Sequence, residues 1–119
     1  MDKNELETRT RLFALRVVKF VRSLPRDRES GVLGRQLLRS GTSVGANYRE
    51  ANRAQSRRDF VHKIALVEKE AAETQYWLSL VEGAGIGRTE ERQWLMGEAT
   101  ELVAIFTSIG KSCKAKKSG

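Results

Sequence analysis

A chain of 119 residues with net charge +7, one proline, one histidine and one cysteine is long enough for one domain with a real core and too short for two ordinary ones. The lone Cys113 excludes an internal disulfide, and with His62 as the only histidine a metal centre or a His-based triad lacks its parts. Few aromatics and abundant Ala, Leu, Glu, Arg and Lys favour helices over many short strands.

The start, MDKNELETRT, carries charges where a signal peptide needs an apolar core. No apolar run approaches the roughly 18 residues of a membrane span, so a soluble, cytoplasmic protein is expected. In helix one, Leu6, Thr10, Phe13, Val17, Phe20 and Leu24 recur at alternating steps of four and three until Pro25 stops the helix. After the charged turn PRDRE the spacing returns at Leu33, Leu37, Ser40, Val44, Asn47 and Ala51, which predicts helix two. Its glycines, Gly31, Gly34, Gly41 and Gly45, each cost up to about 1 kcal/mol in a helix interior. Gly41 and Gly45 lie one turn apart and admit close backbone approach, either inside the bundle or at a subunit interface or kink.

Helix three follows Phe60, Ile64, Val67, Ala71, Thr74, Leu78 and Val81, opening near Ser56 or Arg57 and ending at the glycines of GAGIG. Helix four opens at Thr89, a candidate cap, runs through Leu95, Ala99, Leu102, Phe106 and Ile109, and frays into KSCKAKKSG. Four amphipathic segments with short connections predict an all-α fold, an antiparallel up-down-up-down four-helix bundle. The bundle is assigned to residues 1–110, and 111–119 to a basic, flexible tail carrying Lys111, Lys114, Lys116 and Lys117. A second apolar set off the seams, Leu12, Val18, Val21, Leu38, Tyr48, Val61, Leu66, Tyr76, Trp77, Leu80 and Trp94, exceeds what four seams need and predicts an oligomer.

Charge is bipolar: residues 1–63 carry 15 basic and 7 acidic side chains, and residues 64–110 carry 3 basic and 8 acidic. Such a distribution suits a polyanion, or complementary faces of identical subunits. On helix two, Arg28, Arg35, Arg39, Arg49 and Arg53 fall within an arc of about 80° opposite the seam, with Arg57, Arg58 and Lys63 close behind. That stripe fits the phosphate backbone of RNA or DNA, read without base stacking because no aromatics interleave. Alternatively, the arginines pair with the acidic half of this or a neighbouring subunit.

Asn47 on the seam needs hydrogen-bond partners; Glu50, Glu68, Thr74 and backbone groups near the glycines are candidates, and a structural role in register is expected. Glu68, Glu70 and Glu73 spread over different faces, and no Glu-x-x-His pair is present for a di-iron site. No catalytic residue, metal ligand or cofactor site is assigned. Cys113 among lysines could be an activated thiol or an incidental late-helix residue.

The stretch SVGANYREANRAQSRRDFVHKIALVEKEAAETQYWL, with QLLRSGTSVGANYRE before it, resembles the four-helix-bundle proteins encoded in intervening sequences of bacterial 23S ribosomal RNA genes. Ser43, Asn47, Glu50 and the Phe60–Leu78 helix carry the likeness, although many members have glycine where this chain has Ala51. The resemblance implies a pentameric ring without known enzymatic activity. Distant relatives, the accessory variability determinant proteins of diversity-generating retroelements, are basic pentamers that bind nucleic acid and a reverse transcriptase. A homo-oligomeric, non-enzymatic bundle is therefore expected, a nucleic-acid-binding adaptor or a protein-interaction scaffold.

Overall fold

The computed structural model describes residues 1–118, with side chains described through Ala115. Four helices follow one another: α1 (Lys3–Arg22), α2 (Arg28–Asn52), α3 (Arg57–Gly83) and α4 (Thr89–Ser118), with no strand among the described residues. The connections, residues 23–27, 53–56 and 84–88, are too short to cross the bundle, so successive helices run antiparallel. α2 packs on α1 and α3, α3 packs on α4, and α1 meets α4 most loosely, closing an up-down-up-down bundle.

Local chemistry sets the ends. Asp2, Asp27 and Ser56 accept from the backbone N–H three residues on, capping α1, α2 and α3. α3 ends in a Schellman motif, in which Ile86 N donates to Val81 O and Gly85 N to Glu82 O, both at 3.0 Å. Thr89 is the first helical residue of α4 and not its cap: Arg88 O accepts the first helical bond from Arg92 N. α4 also continues past Ile109 to Ser118, so residues 111–118 extend the last helix. Of the four lysines there, Lys116 and Lys117 have side chains outside the described residues.

The seams form the core, with Leu6, Phe13, Val17 and Phe20 of α1 meeting Leu37, Val44 and Ala51 of α2. Ile64, Val67, Ala71, Leu78 and Val81 meet Leu95, Ala99, Leu102 and Phe106 from the other side. Each large side chain contributes about 1.5–3 kcal/mol of burial. Leu24, Leu33, Phe60 and Ile109, at the seam ends, are only partly buried. Tyr48, read as off-seam, is buried, with its ring edge-on to Phe106 at 5.3 Å.

α2 buries two stripes instead of one. Leu37, Ser40, Val44 and Ala51 form the expected seam, and Gly34, Gly41, Gly45 and Tyr48 form a second. The glycines face α1: a Cβ on Gly41 would lie 2.9 Å from Val17 Cγ2, and one on Gly45 3.2 Å from Thr10 Oγ1. Their helix penalty is offset by a close α1–α2 approach, the internal-packing alternative. The buried hydroxyls of Thr10, Ser40 and Thr74 are satisfied locally: Thr10 Oγ1 lies 3.0 Å from Leu6 O, and Thr74 Oγ1 sits 2.7 Å from Glu70 O and 3.0 Å from Ser40 Oγ.

Candidate nucleic-acid interface

The α2 arginines share an outer face but not one environment. Those at its centre, Arg28, Arg35 and Arg53, are exposed and have no side-chain hydrogen bond or ion pair among the described residues. The flanking two lean toward neighbouring helices. Arg39 reaches α3, where Nη1 donates to Glu70 Oε2 at 3.2 Å and Nη2 pairs with Glu73. Trp77 Nε1 donates to the same Glu73 carboxylate at 3.2 Å. Arg49 leans toward α1, its Nε 3.9 Å from Glu7 Oε1, a loose contact on a side chain that is 58% exposed. The other Glu7 oxygen accepts from Asn52 Nδ2 at 2.8 Å.

Beyond α2 the basic set divides again. Arg57 Nη2 donates to Cys113 O at 3.0 Å and ties the start of α3 to α4. Arg58 is exposed with no such partner among the described residues. Lys63 pairs with Asp59 one turn earlier at 2.9 Å, which holds the Asp59 carboxyl below its ordinary range.

Asn47 is half-buried, and its Nδ2 donates to Ser43 O at 2.9 Å within α2. Its partner is therefore backbone on its own helix, and Glu50 is exposed on the outer side. Glu68, Glu70 and Glu73 of α3 are divided between neighbours, Glu68 accepting from Thr107 Oγ1 of α4 at 3.0 Å and Glu70 and Glu73 holding Arg39 of α2. His62 is exposed, and Cys113 is half-buried.

Two features escaped sequence reading because they join α1 to α4. Arg9 Nε and Nη2 grip both oxygens of Glu98 at 2.8 Å, with Glu101 at 3.3 Å. The hydrogen bond to Glu98 makes the Arg9 guanidinium hold its proton more firmly than usual. One heptad on, Arg16 lies over the Trp94 ring at 4.0 Å. The seven-residue spacing of Arg9 and Arg16 was the available signal. A third missed feature is a groove of about 370 Å³ between α1 and α2, with Arg11 and Arg49 at its rim. Arg11 carries the basic surface from α2 onto α1.

Of the off-seam apolar set, Val21, Leu38, Trp77 and Trp94 pack on the core, and Val18, Val61 and Leu66 are half-buried. Leu12, Tyr76 and Leu80 remain exposed, joined by Leu15 and Val32. None of the described helices is long and apolar enough to cross a membrane.

The model of the 23S rRNA-intervening sequence protein family matches residues 2–108. A crystal structure of a protein of unknown function from the S23 ribosomal protein family of Bacteroides thetaiotaomicron is similar, at 39% identity and a TM-score of 0.84. The alignment covers 93% of this chain and 99% of that one. No curated protein matches the chain. With nearly its whole length matched in sequence and fold, the chain belongs to the 23S rRNA-intervening sequence protein family.

Proposed function

We propose that this protein is a non-enzymatic, cytoplasmic homo-oligomer, a pentamer, that binds the backbone of RNA or DNA through the outer face of α2 and acts as an adaptor. The observation that carries the reading is the exposure of Arg28, Arg35 and Arg53 on one face without side-chain partners among the described residues. Arg28 and Arg53 lie about 37 Å apart along a straight helix, a length that spans several phosphates. Backbone contacts of this kind tolerate any sequence and weaken with salt. Association is supported by Leu12 and Leu15 on α1 and Tyr76 and Leu80 on α3, large apolar side chains left in solvent.

A second reading, a protein-interaction scaffold, is favoured by the pairing of Arg39 with Glu70 and Glu73. The same chemistry between subunits would use the arginines for assembly. Reversing the three partnerless charges, Arg28→Glu, Arg35→Glu and Arg53→Glu together, separates the two. Lost RNA and DNA binding by an intact oligomer supports the adaptor; dissociation of the oligomer supports the scaffold.

A further inference from the structure

The groove between α1 and α2 has the makings of a phosphate subsite. At its base the buried Gly45 of α2 packs against the buried Thr10 of α1, and Thr8 and Ala14 of α1 and Thr42 and the exposed Ala46 of α2 complete the lining. Arg11 of α1, exposed and without a side-chain partner among the described residues, lines the groove across from Arg49 of α2, whose one ion-pair contact among them is the loose 3.9 Å approach to Glu7. Guanidiniums on two sides of a cleft match the charge and fork geometry of a phosphodiester. The exposed Thr8 hydroxyl offers a further donor to phosphate, whereas the Thr42 hydroxyl already donates to Leu38 O at 2.7 Å and keeps only acceptor capacity. Glu7 is the one carboxylate in the lining; Asn52 Nδ2 donates to one of its oxygens at 2.8 Å, and the other faces Arg49 Nε at 3.9 Å, a contact that Arg49 would give up to an entering phosphate.

We infer that this groove seats one nucleotide's phosphodiester, clamped by Arg11 and Arg49, as the anchoring subsite of the strand that runs along α2. The inference rests on the nucleic-acid reading above and adds to it a fixed point of contact and a residue on α1. A fixed point distinguishes a built site from a diffuse basic surface: blocking it with an uncharged side chain weakens binding, whereas a diffuse field is insensitive to such a change.

The test is Ala46→Leu, an exposed helical position where leucine is nearly as good a helix former as alanine. The substitution fills the groove and leaves the net charge unchanged. Binding of a labelled 20-nucleotide single-stranded RNA is followed across a salt series for wild type, Ala46→Leu, Arg11→Gln and the Arg28→Glu/Arg35→Glu/Arg53→Glu variant. Circular dichroism and light scattering confirm fold and assembly. The inference expects Ala46→Leu to weaken binding about tenfold or more and to flatten the log–log salt slope by about 0.7–1.4, one or two phosphates. Arg11→Gln should flatten it by about 0.7. Wild-type affinity and slope in both Ala46→Leu and Arg11→Gln, with binding lost in the α2 triple variant, overturns the subsite and leaves the α2 reading standing. Absence of binding by the wild-type protein at low salt overturns both.

Discussion

Two glycines in the α3–α4 connection share a left-handed backbone yet should respond very differently to a methyl group. Gly85 has φ +69° with open space around its missing Cβ, whereas Gly87 has φ +81° and a Cβ there would fall 2.5 Å from Phe20 Cζ and 3.1 Å from Leu24 Cδ2. Gly85→Ala carries only the backbone penalty, about 1 kcal/mol. Gly87→Ala adds overpacking against Phe20, which is fully buried and cannot move aside. That contributes a further ~1–3 kcal/mol, so the total is about 2–4 kcal/mol, a large part of the roughly 5–15 kcal/mol that holds a domain. Gly97, inside α4 with nothing within 4 Å of its absent Cβ, provides the opposite sign: Gly97→Ala should stabilise by about 0.5–1 kcal/mol. Urea unfolding followed by circular dichroism, at one protein concentration because assembly contributes, ranks the three variants. Equal losses for Gly85→Ala and Gly87→Ala would refute the packing of this connection onto α1.

Arg9→Met leaves Glu98, whose side chain is 12% exposed, without its bidentate partner, and should cost about 1–3 kcal/mol; adding Glu98→Leu should recover much of that loss in a double-mutant cycle. Phe106→Ala empties the centre of the core next to Tyr48, with an expected loss of about 3–5 kcal/mol in the same unfolding assay. The Asp27 carboxyl is held below its ordinary value chiefly by the hydrogen bond from Ser30 N. Its contribution is therefore present above pH 3.8 and lost as pH falls through the lower folded value. Asp27→Asn keeps a capping oxygen and removes the titration, so its stability should fall less steeply in acid below that point than that of the wild type; parallel acid limbs would contradict the assignment.

The seams of α1 and α3 were legible because one narrow apolar stripe repeats over many turns, and the short connections left few topologies. α2 was harder. Its second buried stripe consists of glycines, which carry no apolar signal, and their value lies in how near Val17 and Thr10 come from α1. Asn47 is less buried than its seam position implied for the same reason: with two stripes buried, the seam is rotated and the amide lies at its edge, where it takes the backbone alternative and bonds Ser43 O beside the glycines. α4 outran its expected end because lysines are good helix formers, and Arg57 adds a bond to the Cys113 carbonyl.

For the basic face, the wheel placed five arginines together but could not tell which had neighbours. That depends on the acids that adjacent helices bring alongside. Arg39, at one edge of the arc, meets Glu70 and Glu73, Arg49 at the other meets Glu7, and Arg28, Arg35 and Arg53 between them meet none among the described residues. The Arg9–Glu98 clamp joins residues 89 positions apart, beyond the reach of any local pattern.

The most direct test of the proposed function is the affinity of nuclease-treated wild-type protein for labelled RNA and duplex DNA across a salt series, with the mass of the free assembly measured by light scattering. The account predicts a homo-oligomer that binds both at micromolar concentration or better and loses affinity steeply as salt rises, with a log–log slope on duplex DNA of about −2.7 or steeper for at least three phosphates neutralised. An intact oligomer that binds neither at low salt would contradict it and leave the α2 arginines to assembly.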